Sequence, residues 1–178
     1  PTKEAKMNKK EIDLYLQELG SNNDKTRMQA LDQIMELTDR KVDWAYDAWT
    51  KLTEMLEYEN SFHRSIANKV LCNLAKSDNQ DRLGGMLDLL LAHTKDEKFI
   101  TSRQCLQNVW KIALTIRKNH KIIIDLLVSR YHECINEKHY NLLRIDILHS
   151  LLMVQTHTGD DELFDLIQKL IGEEESNK

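Results

Sequence analysis

An arginine recurs four times along the chain at nearly constant intervals, each time ahead of the same apolar pattern. The positions are Arg27, Arg64, Arg103 and Arg144, which are separated by 37, 39 and 41 residues. Apolar side chains follow each arginine after three, seven and ten residues: Ala30, Ile34 and Leu37; Ala67, Leu71 and Leu74; Leu106, Trp110 and Ala113; Ile147, Leu151 and Val154. Because an α-helix turns once every 3.6 residues, these offsets form one apolar stripe. The chain therefore repeats one amphipathic helix.

A second kind of helix alternates with the first. Its marker is an aspartate between two apolar residues, at Asp47, Asp88, Asp125 and Asp165. The two patterns together predict helices at residues 8–19, 25–38, 42–58, 62–76, 80–94, 101–118, 121–136, 141–156 and 161–171. An all-β fold needs a turn signal every 8–12 residues. With one proline and five glycines in 178 residues, the chain lacks those signals.

Paired helices expose an apolar stripe that one pair cannot bury alone, and stacking successive pairs buries it in a continuous core. We therefore expect an all-α solenoid. Residues 8–171 form this single repeat domain. We expect residues 1–7 to be an N-terminal tail, of which residues 1–6 precede the native start at Met7, and residues 172–178 to be a frayed acidic tail.

The repeat resembles the HEAT repeats of the armadillo-like α-solenoid superfamily. That pattern has an acid in a turn and then an arginine with a small apolar residue at the start of the second helix, here at Arg64, Arg103 and Arg144. The resemblance covers residues 8–171 and implies a right-handed α–α superhelix of about four helix pairs plus a closing helix. The first repeat departs from it, because Gly20 replaces the acid.

In that family the turn acid and the arginine bond to each other as a structural ladder. The resemblance therefore implies three pairs, each separated by seven residues: Glu57 with Arg64, Asp96 with Arg103, and Glu137 with Arg144. The competing interpretation is a phosphate-binding arginine stripe. An arginine that is already paired with a carboxylate is not free to hold phosphate, so the ladder is favoured.

The resemblance also implies that the second helix of each pair lines the concave face. We expect a protein or peptide to bind there through five polar side chains, near Lys76: Lys69, Asn73, Asn108, Lys111 and His149. Ordinary solvated surface is the alternative interpretation. No catalytic motif is present, so the predicted function is a non-enzymatic protein-interaction or scaffold module without cofactor or metal. The fold does not narrow the role further, because such folds host many unrelated roles.

The overall charge disfavours nucleic acid as the partner. Lysine plus arginine total 25 and aspartate plus glutamate total 29, a net charge of −4, whereas nucleic-acid domains carry a basic excess. The three cysteines are Cys72, Cys105 and Cys134, with no CxxC pair, which indicates free thiols and a cytoplasmic location. No apolar run is long enough for a membrane span.

The main alternative is a DNA-repair protein related to the HEAT-like alkylpurine DNA glycosylases, which place a tryptophan and a catalytic aspartate four residues apart. Here Trp44, Trp49 and Trp110 are followed at that distance by Ala48, Thr53 and Leu114, so the arrangement is missing. A third hypothesis is self-assembly through the irregular first repeat or the apolar helix at residues 163–171.

Two further clusters have a simple structural interpretation. The four aspartates of the first helices could form a cation site, but carboxylates on helices 8–10 Å apart cannot share one cation. We therefore expect these aspartates on a solvated outer surface. His132, Cys134 and His139 resemble metal ligands in type only. On a helix they point in different directions, so a tetrahedral site would require a break.

Overall fold

The computed structural model of the chain describes residues 7–176, and these residues form helices and turns without a β-strand. The helices are α1 (Lys9–Leu19), α2 (Asp24–Leu37), α3 (Ala45–Met55), α4 (Ser61–Leu74), α5 (Leu87–Ala92), α6 (Phe99–Leu106), α7 (Trp110–Ala113), α8 (Arg117–Glu133), α9 (Tyr140–Thr158) and α10 (Asp161–Ser176). The all-α prediction is confirmed. The tail predicted at residues 1–6, and residues 177–178 of the predicted acidic tail, lie outside the described residues.

Helices that follow one another in the chain pack together. Helix α1 packs on α2, α3 on α4, α8 on α9, and α9 on α10. The second helices also contact one another in chain order, α2 with α4, α4 with α6, and α6 with α9. The core lies between the two sets of helices. All of the twelve predicted stripe positions are buried except Leu37 and Trp110, which are half-buried.

Two predicted helices are interrupted because side chains compete for backbone groups. In the segment 80–94 the Asp78 carboxylate accepts hydrogen bonds from the backbone N–H groups of Arg82 (3.0 Å) and Leu83 (2.8 Å), and only α5 is α-helical. Within 101–118, the Asn108 side chain donates to the Gln104 carbonyl at 2.8 Å. The chain there tightens to i→i−3 bonds between α6 and α7. Asparagine and aspartate favour such local alternatives to the helix.

The C-terminal helix is longer than the sequence pattern predicts. Helix α10 continues to Ser176, so the prediction of a frayed tail from residue 172 is wrong for residues 172–176. Glu174 explains the extension, because its carboxylate accepts hydrogen bonds from Arg144 and from the Tyr131 hydroxyl. Those bonds tie the last turns of α10 to α8 and α9.

The arginines form ion pairs, but with partners other than those predicted. Arg64 makes a bidentate pair with Asp96, with both N···O distances 2.8 Å, and Arg103 makes one with Asp146 at 2.6 and 3.0 Å. Arg144 pairs with Glu174, Glu137 accepts from Arg130 at 2.5 and 2.8 Å, and Glu57 is exposed and unpaired among the described residues. The three pairs predicted at an offset of seven are therefore wrong.

The direction of the arginine side chains explains this difference. The guanidinium groups of Arg64, Arg103 and Arg144 reach to the following helix pair or to the closing helix, whereas the prediction directed them back to their own turn. Arg64 also donates to the carbonyls of Tyr58 (2.8 Å) and Glu59 (2.6 Å), which are at its own turn. Arg64 therefore joins the turn before its own helix to Asp96, which lies in the next helix pair.

The Arg64–Asp96 pair predicts an acid-sensitive stability. Burial alone would raise the pKa of Asp96, but hydrogen bonds from Arg64, the Lys98 N–H and His93 outweigh it and lower the pKa from 3.8 to about 2. A carboxyl with a depressed folded pKa stabilises the fold fully above its unfolded pKa, and this contribution is lost as pH falls through about 2. We expect a loss of about 2 kcal/mol between pH 5 and pH 2.

Urea unfolding at each pH measures this effect. The chain with Asp96→Asn lacks the titrating group, so its stability should fall less steeply than that of the unchanged chain over the same range. Parallel curves for the two proteins would show that Asp96 does not titrate with a depressed pKa.

Candidate functional site

A groove lies where the ends of three second helices meet. It has a volume of about 690 Å³, and its lining comes from the segment after α2, the end of α4 and the turn that follows it, α7 and the segment after it, and the end of α9. We call it the lysine groove, defined by Lys41, Lys76, Lys111, Asn73, Trp110 and His157 among its lining residues. It brings together side chains that are far apart in sequence.

Lys111 lies at the centre of a hydrogen-bond network in this groove. Its ammonium donates to the Oδ1 atoms of Asn73 (2.6 Å) and Asn108 (2.9 Å). Asn73 in turn donates to the Met35 carbonyl (3.3 Å) and to the Thr38 hydroxyl (3.1 Å). These bonds use both buried asparagine side chains to join α2, α4 and the α6–α7 segment.

The charge of Lys111 has no carboxylate partner within ion-pair distance among the described residues. Burial lowers the pKa of Lys111, and the ammonium groups of Lys76 and Lys69 lower it further, against opposing effects of Cys72 and Asp39. Amide oxygens therefore solvate this ammonium without neutralising it. The groove is also lined by Asp39 and Asp78, and an incoming carboxylate would be attracted where it approaches the Lys111 ammonium.

Two more lysines extend this positive region along α4. Burial lowers the pKa of Lys69, and the Asp32 carboxylate on α2 opposes that shift. Lys76 donates to the Asp39 carbonyl at 2.6 Å, which orients its ammonium at the edge of the groove. Neither lysine has a carboxylate within ion-pair distance in the described part of the chain.

The far side of the groove is aromatic and then apolar. The rings of Trp110 and His157 lie 5.2 Å apart with an interplanar angle of 31°. Further along α9, the side chains of Ile145 and Leu152 are 58% and 45% exposed, and His149 between them is exposed as well. Residues 145, 149 and 152 share one face of the helix because they are spaced at four and three residues. We call Ile145, His149 and Leu152 the α9 strip.

The structure brings four of the five predicted binding residues together but changes their roles. Asn73 and Asn108 are only 4% and 9% exposed, and their amides hydrogen-bond within the chain, so they support the groove from inside, and their contact with a partner stays a prediction. Lys69 and Lys111 remain available at the surface. His149 lies apart from them, in the α9 strip.

Sequence reasoning missed the aromatic and apolar part of this surface. Trp110 was assigned to the core because it falls on the arginine-plus-seven stripe, and the break between α6 and α7 moves it to the groove instead. The exposure of Ile145 and Leu152 had a readable signal, since both lie off the apolar stripe that follows Arg144.

The alternative sites find no geometric support. Trp44 and Trp49 are buried, and the three cysteines are buried free thiols, with burial raising the pKa of Cys72 to about 12. His132 approaches Glu173, whereas His139 packs against Phe99, so the two rings point to different elements. From Met7 to Ser176 no group of three potential ligands is placed to hold a metal ion.

No model of a known protein family matches this chain, and no curated protein matches it. Within the described range, no helix is both long enough and apolar enough to cross a membrane. The site must therefore be interpreted from its own geometry.

Proposed function

We propose that this chain is a non-enzymatic binding module, a HEAT-like right-handed superhelix whose second-helix face binds an acidic segment of another protein. The observation that carries the proposal is the group formed by Lys69, Lys76 and Lys111. They lie on neighbouring helices, all three are half-buried, and none has a carboxylate partner within ion-pair distance among the described residues. The free thiols Cys72, Cys105 and Cys134 favour a cytoplasmic location.

A partially buried ammonium without a counter-charge is costly, and a partner's carboxylate reduces that cost when it binds. The groove also offers a ligand more than point charges, because its volume admits several side chains and its wall is the Trp110–His157 pair. An acidic peptide segment therefore fits the surface better than a small metal-bound ligand or a neutral peptide.

The proposal predicts that Lys69 and Lys76 determine affinity for acidic peptides. Fluorescence anisotropy with a labelled Glu/Ser dodecapeptide measures this, first at low salt and then at increasing salt. The double variant Lys69→Gln/Lys76→Gln should bind about tenfold more weakly, because two charge-assisted contacts are lost. Its melting temperature should stay unchanged, since neither ammonium holds a buried group.

Lys121→Gln is the matched control, because the Lys121 side chain is 82% exposed on α8 and pairs with Asp125 alone among the described residues. Lys111 is unsuitable as a test because its loss would also disrupt the Asn73 and Asn108 network. Equal weakening by the control would show a non-specific charge effect, and no weakening by the double variant would contradict the proposed site. A labelled DNA duplex is the second ligand, and tighter, salt-sensitive binding of the duplex would favour the nucleic-acid alternative.

A further inference from the structure

The exposed side chains of the second helices change character in a fixed order. Helix α2 presents the Asp32 carboxylate, α4 presents Lys69, and α7 presents Lys111. Helix α9 presents the α9 strip, with Ile145 and Leu152 more than two-fifths exposed. The order across the surface is thus acidic, basic, basic and apolar.

These four helices are neighbours, and we call this ordered row of exposed side chains the track. Asp32 acts electrostatically on Lys69, and Lys69 acts on Lys111. Helix α9 is the next neighbour, because the Ser150 hydroxyl of α9 donates to the Leu106 carbonyl of α6 and the rings of Trp110 and His157 lie 5.2 Å apart. A ligand that crosses the helices meets the four chemistries in turn.

The spacing of the track matches an extended chain. Packed helices lie about 8–10 Å apart, and an extended peptide rises about 3.3 Å per residue. Each helix therefore corresponds to about three residues of a bound strand. A segment that complements the track carries a basic residue, two acidic residues and an aliphatic residue at every third position.

We propose that the second-helix face selects an extended peptide segment of another protein with this three-residue spacing, its basic end over Asp32 and its aliphatic side chain on the α9 strip. This inference rests on the proposed function and adds the partner's pattern to it. Two observations support it: Asp32, Lys69 and Lys111 carry the charges of the track on three successive helices, and Leu152 exposes 45% of its apolar side chain, which an aliphatic side chain of the partner would cover. A peptide with only the basic and acidic residues of this pattern would leave the α9 strip exposed to solvent.

The test compares labelled decapeptides of equal composition by fluorescence anisotropy. The matched peptide has Lys at position 1, Glu at positions 4 and 7, Leu at position 10 and Ser elsewhere, and the shifted peptide exchanges Leu with the Ser at position 2. Both are also made in reverse order, because the track does not set chain direction. We expect one matched peptide to bind about tenfold tighter than its shifted form, as burying a leucine side chain implies.

Leu152→Ser should remove that preference without changing the affinity for the shifted peptide. Phe164→Ser is the control, because Phe164 is also 45% exposed but lies on α10. Equal, salt-sensitive binding of matched and shifted peptides would overturn the spacing and leave the proposed function standing. Absence of binding by every peptide would overturn both, as would displacement of all of them by duplex DNA.

Discussion

Replacing Asp96 with alanine is expected to lower the free energy of unfolding by about 3–5 kcal/mol. The Asp96 side chain is 4% exposed and bonds the Arg64 guanidinium through both oxygens. It also accepts from the Lys98 N–H at 2.9 Å and contacts His93 Nδ1 at 3.0 Å. Its removal leaves the buried guanidinium with only the exposed Glu97 carboxylate, 3.9 Å away, as a counter-charge, and it leaves a turn without its cap. Urea denaturation at neutral pH measures the loss.

A double-mutant cycle separates the ion pair from the other bonds of Asp96. The variants are Arg64→Met, Asp96→Ala and the two combined. If the uncompensated guanidinium causes most of the loss, the double variant should be no less stable than Asp96→Ala alone. Asp125→Ala is the exposed control, with an expected change below about 0.5 kcal/mol. Additive losses in the cycle would contradict a coupled pair.

The sequence predicted the helices and the buried stripe well because both depend on local periodicity. Ile147, Leu151 and Val154 are buried where the arginine-anchored pattern places them. The predicted helix at residues 80–94 failed because Asp78 stabilises a turn through the N–H groups of Arg82 and Leu83. That competition depends on side-chain geometry, which periodicity does not report.

The ion pairs and the groove were less predictable because they depend on which helix faces which. The offset of seven residues assigned Asp96 to Arg103, but Asp96 pairs with Arg64, 32 positions before it in the chain. Asn73 and Asn108 have the positions expected of surface residues, but Asn73 bonds to Met35 and Thr38 of the α2 end, and both asparagines accept from Lys111. Long-range packing determines both outcomes, and a single sequence carries no direct record of it.

Alanine substitution of two adjacent leucines of α9 is expected to lower the free energy of unfolding strongly at one position and hardly at the other. Leu151 is fully buried in the core, and Leu152 is 45% exposed in the α9 strip. Leu151→Ala removes buried methyl groups and leaves a cavity, so we expect a loss of about 2–5 kcal/mol in the free energy of unfolding. Leu152→Ala should change it by less than about 0.5 kcal/mol, because the side chain already contacts solvent.

Peptide affinity should show the reverse order. With both proteins held below their unfolding transition, Leu152→Ala should weaken the matched decapeptide, whereas Leu151→Ala should bind it as the unchanged chain does. The pair is informative because helix propensity, chemistry of substitution and position along α9 are the same for both. Equal destabilisation by the two would show that Leu152 packs inward, and the α9 strip would then be part of the core with no role in binding.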